Sequence, residues 1–152
     1  MDIIIDNLSD NAVAQLLNSH LQQMHEFSPP ESIHALDQEK LNDPSVTFWS
    51  ARDKGVLAGC GALKELSRHC GEIKSMKTDN TFLRKGVAST ILEALLAEAT
   101  ARGYKSVSLE TGSNEAFNPA IALYKKYGFI ECGPFAEYKR DPYSKFYTKH
   151  LD

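Results

Sequence analysis

No apolar run in the 152-residue chain approaches the roughly 18–20 residues needed to cross a bilayer as a helix, which excludes a transmembrane helix. The opening Met1-Asp2-Ile3-Ile4-Ile5-Asp6 lacks the basic start and long apolar core of a secretory leader, so a cytoplasmic protein without membrane attachment is expected. Cysteine is scarce. Cys60, Cys70 and Cys132 stand far apart with no CxxC pair, and an odd set of this kind fits reduced thiols in packing roles better than a disulfide framework. Positive charge is not in excess either: 17 Lys and Arg against 20 Asp and Glu leave −3, which argues against a general affinity for nucleic acid. The chain also lacks GxxxxGK[ST], GxGxxG and GxSxG, so P-loop, dinucleotide and serine-hydrolase sites have no fingerprint. His20, His25, His34, His69 and His150 make no HExxH, and no metal is expected. No repeat or linker divides the chain, so residues 1–152 are expected to form one domain, long enough to fold without disulfides.

What is present is a helix-rich start, a β-meander, then a β-α-β run and a closing pair of strands. Ile3 to Ile5 reads as a first strand. Ser9 or Asp10 can cap a helix whose apolar stripe is Val13, Leu16, Leu17, His20, Leu21 and Met24, and Pro29-Pro30 ends it. Ser28 can cap a second helix opening at the prolines, with Ile33, Leu36 and Leu41 as its buried side. Val46 to Ala51 and Val56 to Leu66 flank Arg52-Asp53-Lys54-Gly55, a hairpin turn. Glu72 to Thr78 follows as a fourth strand after a turn at His69-Cys70-Gly71. The strongest helix pattern runs from Gly86 to Arg102, with Val87, Ile91, Leu92, Leu95, Leu96 and Ala99 on one face and Gly103 as its stop. Lys105 to Thr111 is a fifth strand, Pro119 to Tyr127 a short helix closed by Gly128, and Phe129 to Cys132 and Phe146 to His150 the last strands. The order predicts a mixed α/β domain.

Chemistry concentrates between Glu72 and Leu96. A strand runs into Leu83-Arg84-Lys85-Gly86-Val87-Ala88 and a long helix follows at once. The first N–H groups of such a helix are unpaired and face the loop, with the positive end of the dipole behind them. Gly86 and Ala88 keep bulk away, and Arg84 and Lys85 add charge, which suits an anion such as a diphosphate. The same residue types also make a tight strand-to-helix turn that binds nothing.

Leu83 to Ala88 resembles the [QR]xxGx[GA] pyrophosphate loop of the GNAT N-acetyltransferase superfamily, and the helix that follows is similar to that family's loop-supporting helix. A second stretch, Ala122-Leu123-Tyr124-Lys125-Lys126-Tyr127-Gly128-Phe129, resembles the family's LYxxxGF element, at the expected order and separation. Together the two cover a resemblance from Ile3 to Leu151. The resemblance implies a central, mostly antiparallel sheet flanked by helices, with a V-shaped opening between the fourth and fifth strands. It also implies an enzyme of the acyltransferase class that moves acetyl from acetyl-CoA directly to a primary amine. The cofactor diphosphate would lie on the amides of Arg84, Lys85, Gly86, Val87, Ala88 and Ser89, beside Leu83. The pantetheine arm would pair with the strand at Met76, Lys77 and Thr78. Asn114, Asn118 and Pro119 are the candidates on this side of the cofactor in the comparison, and which asparagine, if either, touches it stays open.

By the same resemblance Tyr124 is the hydroxyl donor to the departing sulfur, and Glu72 is the candidate base, because an attacking amine must be neutral. A water relay is the alternative to Glu72, and a plain packing role is the alternative for Tyr124. Two places depart from the pattern: Leu83 occupies the first [QR] position, with Arg84 one place later, and Phe117 stands where the family often has Asn. Met24 to Asp37, Gly133-Pro134-Phe135 and Asp141 to Phe146 resemble a subgroup of bacterial members acting on small acceptors. Glu26, Glu31, His34 and Asp37 could favour a cationic acceptor or serve as ordinary surface groups. Three readings stay open: transfer to a small amine or amino acid, transfer to a protein or peptide, and a non-catalytic CoA-binding regulatory module. A homodimer is common in the superfamily and compatible with the sequence.

Overall fold

The computed structural model describes residues 1–33 and 38–151. Its frame is a seven-stranded sheet of β1 (Asp2–Ile5), β2 (Val46–Asp53), β3 (Val56–Ser67), β4 (Cys70–Thr78), β5 (Ser106–Gly112), β6 (Ile130–Cys132) and β7 (Ser144–His150). The spatial order is β1-β2-β3-β4-β5-β7-β6, and every neighbouring pair is antiparallel except β4 with β5. This is the mixed α/β, mostly antiparallel sheet expected.

Two helices cover opposite faces. α1 (Asn11–Phe27) is capped by the Asp10 carboxylate, which accepts from the Ala12 N–H. It lays Val13, Leu16 and Leu17 against Phe48, Leu57, Cys60 and Ala62. On the other face α3 (Val87–Ala101) buries Ile91, Leu92, Leu95 and Ala99 against Leu63, Ile73 and Leu109. The four-residue α2 (Gln38–Leu41) precedes β2, and α4 (Asn118–Lys126) follows β5. α3 docks closely because β3 is bare where they touch: a Cβ on Gly61 would meet Ile91 Cγ2 and Met76 Sδ at 2.8 Å. The β2–β3 hairpin closes on Lys54 and Gly55, both at positive φ, as a two-residue turn demands.

Two local expectations are corrected. Ser28 does not cap a second helix; it closes α1, its N–H donating to the Met24 carbonyl, and Pro30–Ser32 makes a single tight turn. Ser32 is held there by its hydroxyl, which donates to Asp141 far along the chain. The expected Leu36 contact lies outside the described residues. Secondly, Cys70 and Gly71 belong to β4 rather than to the turn. Gly71 is small because the Tyr104 ring lies on it, 2.8 Å from where a Cβ would be.

Candidate active site

β4 and β5 pair as parallel strands only from Cys70↔Ser106 to Ile73↔Leu109. Beyond Ile73 and Leu109 they part, which opens the sheet in a V at the expected place. A cavity of about 370 Å³ passes through the opening. Leu83, Ala88, Ile91, Phe117, Ala120, Leu123 and Tyr124 line it on the α3 and α4 side. Residues of α1, β4 and β5 line it on the other.

The α3 end fits an anion by its backbone. Gly86 stands before the helix at φ 79° with no side-chain cap, and the first turn of α3 holds no acidic residue. Arg84 also has positive φ, at 63°, and Lys85 Nζ sits 5.4 Å over the Phe82 ring. Nothing lies within 4 Å of a Cβ on Gly86, so the glycine serves the backbone turn rather than crowding. The amides of Val87, Ala88 and Ser89 have no acceptor one turn back and face the loop. Arg84, Lys85 and Gly86 are exposed beside them. The residues present therefore suit a bound diphosphate.

Tyr124 is buried, with its ring against the Phe129 edge at 5.8 Å between centroids. Desolvation pushes its phenol up to about 12, so it keeps its proton at neutral pH. Met76, Lys77, Thr78, Leu83, Ala88 and Pro119 line the same cavity as Tyr124. Val87 is instead a core residue. Asn114 caps the turn Glu115–Phe117 by accepting from the Ala116 N–H, and Asn118 is exposed at the start of α4. Phe117, the departure from the motif, is a cavity wall.

On the other face of the sheet, strand alternation sets the chemistry. Ile73 and Leu109 face α3, so Glu72, Lys74, Ser108 and Glu110 face away from it. Glu72 is 2% exposed and accepts from Lys74 Nζ at 3.1 Å and from the Tyr138 hydroxyl. Lys74 Nζ also donates to the Tyr138 oxygen at 2.7 Å. Burial and the neighbouring Glu72 carboxylate push the Tyr138 phenol far up.

Glu110 is the functional candidate that sequence reasoning missed. It is the first β5 residue past the last ladder pair, so it stands at the vertex of the V. Ser144 donates to it at 2.8 Å. Desolvation raises it to about 7, with Glu72 and Asp141 adding to the shift and the Ser144 hydrogen bond and Lys74 opposing it. The alternation of Val107, Leu109 and Thr111 with Ser108 and Glu110 was the available signal. What the sequence withheld was where the ladder stops.

Glu72 and Lys74 also line a wider groove of about 1130 Å³, with Glu31, Lys40, Lys64, Phe135, Tyr138 and Arg140. Of the acidic residues marked in the sequence, Glu31 is thus at this groove. Glu26 is exposed on α1, outside the lining of either opening. His34 and Asp37 lie outside the described residues.

A sheet split after a short parallel pair, with an uncapped helix at one side of the gap and a buried tyrosine at its edge, defines an acyl-CoA-dependent N-acyltransferase. The model of the acetyltransferase (GNAT) family matches residues 13–129, and the chain belongs to that family. It is 55% identical to an uncharacterised N-acetyltransferase, YsnE, of Bacillus subtilis, over 99% of this chain and 100% of that one. Among solved structures it is similar to a protein assigned as an acyl-CoA N-acyltransferase in Klebsiella pneumoniae, at TM-score 0.80 and 27% identity over 99% and 97% of the two chains. A GNAT family acetyltransferase of Elizabethkingia anophelis with acetyl-CoA bound shares the fold at TM-score 0.72 and 18% identity, over 99% and 97%. Among the described residues no helix is long and apolar enough to cross a membrane.

Proposed function

We propose that the protein transfers acetyl from acetyl-CoA directly to the primary amine of a small molecule or amino acid. The observation that carries this reading is the single cavity that joins Tyr124 on one face of the sheet to Glu72 and Glu110 on the other. The diphosphate would rest on the amides of residues 84–89, and the pantetheine would pair with the unpaired side of β4 near Met76 and Thr78. Acetyl-CoA supplies a thioester whose acyl carbon the amine can attack.

The chain supplies what that attack requires. An alkyl ammonium near pKa 10 is mostly protonated at neutral pH, so the acceptor must lose a proton before or during attack. Glu110 is poised for that, since its ordinary value is moved close to the working pH. Glu72, the carboxylate marked by the motif comparison, is the second acceptor at the vertex, fixed by Lys74 and Tyr138. Tyr124 holds its proton and donates a hydrogen bond toward the leaving sulfur. As the N–C bond forms and the C–S bond breaks, the amine proton moves to the carboxylate side and the departing thiolate is met by the phenol.

The groove of about 1130 Å³ beside Glu72 and Lys74 is walled in part by Phe135 and Tyr138, which gives a small acceptor two rings to pack against. Purified protein given acetyl-CoA and a panel of amines should release free thiol with at least one of them. Failure of acetyl-CoA to raise the melting temperature would reject the reading at its first step.

A further inference from the structure

His20 Nδ1 and Ser75 Oγ are buried side-chain polar atoms with no hydrogen-bond partner among the described residues, and both residues line the same cavity. Native interiors rarely leave such atoms unsatisfied, and a cavity with two of them among its lining residues points to a polar group that it receives. Ser75 sits at the irregularity of β4, where the register with β3 shifts between Cys60↔Lys77 and Ala62↔Lys74, and its φ is 56°. Gln23 and Lys77 belong to the same wall, Lys77 Nζ donating to Gln23 Oε1 at 2.6 Å.

The charge of this wall has one sign. Lys77 is half-buried, desolvation holds its ammonium below the ordinary lysine value, and its hydrogen-bond partner is neutral. No carboxylate lies within ion-pair distance of it among the described residues; Asp79 and Cys60 act on it only through the field. His20 is driven down to about 4 by burial and by Lys77, so it is a neutral imidazole that can offer one N–H. An ammonium, an amide NH₂, a hydroxyl and an imidazole N–H all donate. Their common complement is a carboxylate, which accepts at two oxygens. Lys77 pairs with Cys60 on the α1 face of the sheet, whereas the α3 N-terminus lies behind the opposite face, so the ammonium is not directed at the diphosphate end.

We infer that the acceptor is an amino carboxylate, its carboxylate held by Lys77, Gln23, Ser75 and His20 while its amine lies at Glu110 and Glu72. This rests on the transferase reading above. The two ends are compatible in length: Lys74 and Glu110 each stand one residue past the last β4–β5 ladder pair, and Lys74 and Lys77 are three residues apart on β4, about 10 Å at ~3.3 Å per residue before the irregularity shortens it.

The test uses the full chain with saturating acetyl-CoA and matched acceptor pairs: an ω-amino acid long enough to span the two ends against the same molecule as its amide or without its carboxylate. Thiol release should favour the carboxylate member about 10–100-fold in kcat/KM, the range of a charge-assisted hydrogen bond. Lys77→Met should reduce that ratio to near one with unchanged acetyl-CoA affinity by calorimetry, and Lys77→Arg should retain part of it. Equal rates within each wild-type pair would overturn the inference and leave the transferase reading standing. Loss of acetyl-CoA affinity in Lys77→Met would also overturn it, by assigning the ammonium to the cofactor. No turnover of any amine by a chain that binds acetyl-CoA would reject the transferase reading itself. The wild-type comparison needs no variant to fold.

Discussion

The two walls of the cleft are made by different means. On the α3 side the candidate binding groups are backbone: a left-handed glycine and an uncapped first turn, set by residues close in sequence, and a strand edge left where β4 and β5 part. On the α1 side they are side chains brought together over long distances, Glu72 with Tyr138, Glu110 with Ser144, Lys77 with Gln23. A backbone site tolerates much variation of side chain and suits a shared co-substrate. A side-chain site changes with each substitution, and that is where one enzyme of a family can differ from the next.

This contrast is open to direct attack, most strongly at Glu110. Glu110→Gln should lower kcat/KM about 100-fold or more, the scale of a lost general base, with acetyl-CoA affinity unchanged. Because the carboxylate must be ionised to accept a proton, the wild-type rate should rise with pH through about 7 and level above it, and the variant should lose that limb. A pH–rate profile of both checks this; a limb that survives in the variant moves the role to Glu72.

Tyr124→Phe comes next. Turnover should fall about 10–100-fold, the range for a hydrogen bond to a charged group, with little change in acetyl-CoA binding. The opposite pattern, weak binding with normal turnover, would make the ring a packing element of the α3 wall.

Gly86→Ala tests the backbone wall itself. A Cβ meets no atom there, so only the φ of 79° opposes it, at about 1–2 kcal/mol. The expected result is a melting temperature lowered by a few degrees together with weaker acetyl-CoA binding. Retained affinity after Gly86→Ala would show that side chains carry that wall too.

The smallest effect is on stability against pH. The folded chain keeps a proton on Glu110 between the ordinary value of 4.5 and about 7, where the unfolded chain has released it, so Glu110 makes stability fall as pH rises across that window. His20 acts in the opposite sense. Its neutral buried form makes stability fall as pH drops from 6.5 toward 4. Between pH 5 and 6.5 the two oppose each other, so in Glu110→Gln the denaturant midpoint should rise from pH 5 to 7.5 under the unopposed His20 slope, and in His20→Gln it should fall more steeply than in the wild type.

Legibility in the sequence followed the same division. The α3 helix, its glycine N-terminus and the β2–β3 hairpin were readable because each is decided by residues within a turn or two of one another. Tyr124 was marked by its motif and Glu72 by its offset from the loop, and both line the same cavity. Glu110 escaped because a carboxylate alternating with Leu109 looks like any solvent-facing strand residue until the neighbouring strand is seen to leave it. Ser28 and Gly71 misled for a related reason: a serine before prolines signals a helix start, and a glycine after a histidine signals a turn. Met24 and the Tyr104 ring decided them instead. His20 fitted the apolar stripe of α1, and nothing in that stripe revealed that its ring would line a cavity.

The parting of β4 from β5 also leaves the protein with a strand edge inside its own sheet. Outer edges are hazards, because exposed N–H and C=O rows recruit other chains into aggregates. This one lies between α1 and α4, with Leu83, Phe117 and Leu123 as its walls, and a second folded molecule has no way to lay a strand along it. A slender linear chain does. Shielding by the two helices thus lets the protein keep one edge of β4 unpaired, its other edge held by β3, without offering that edge to its neighbours.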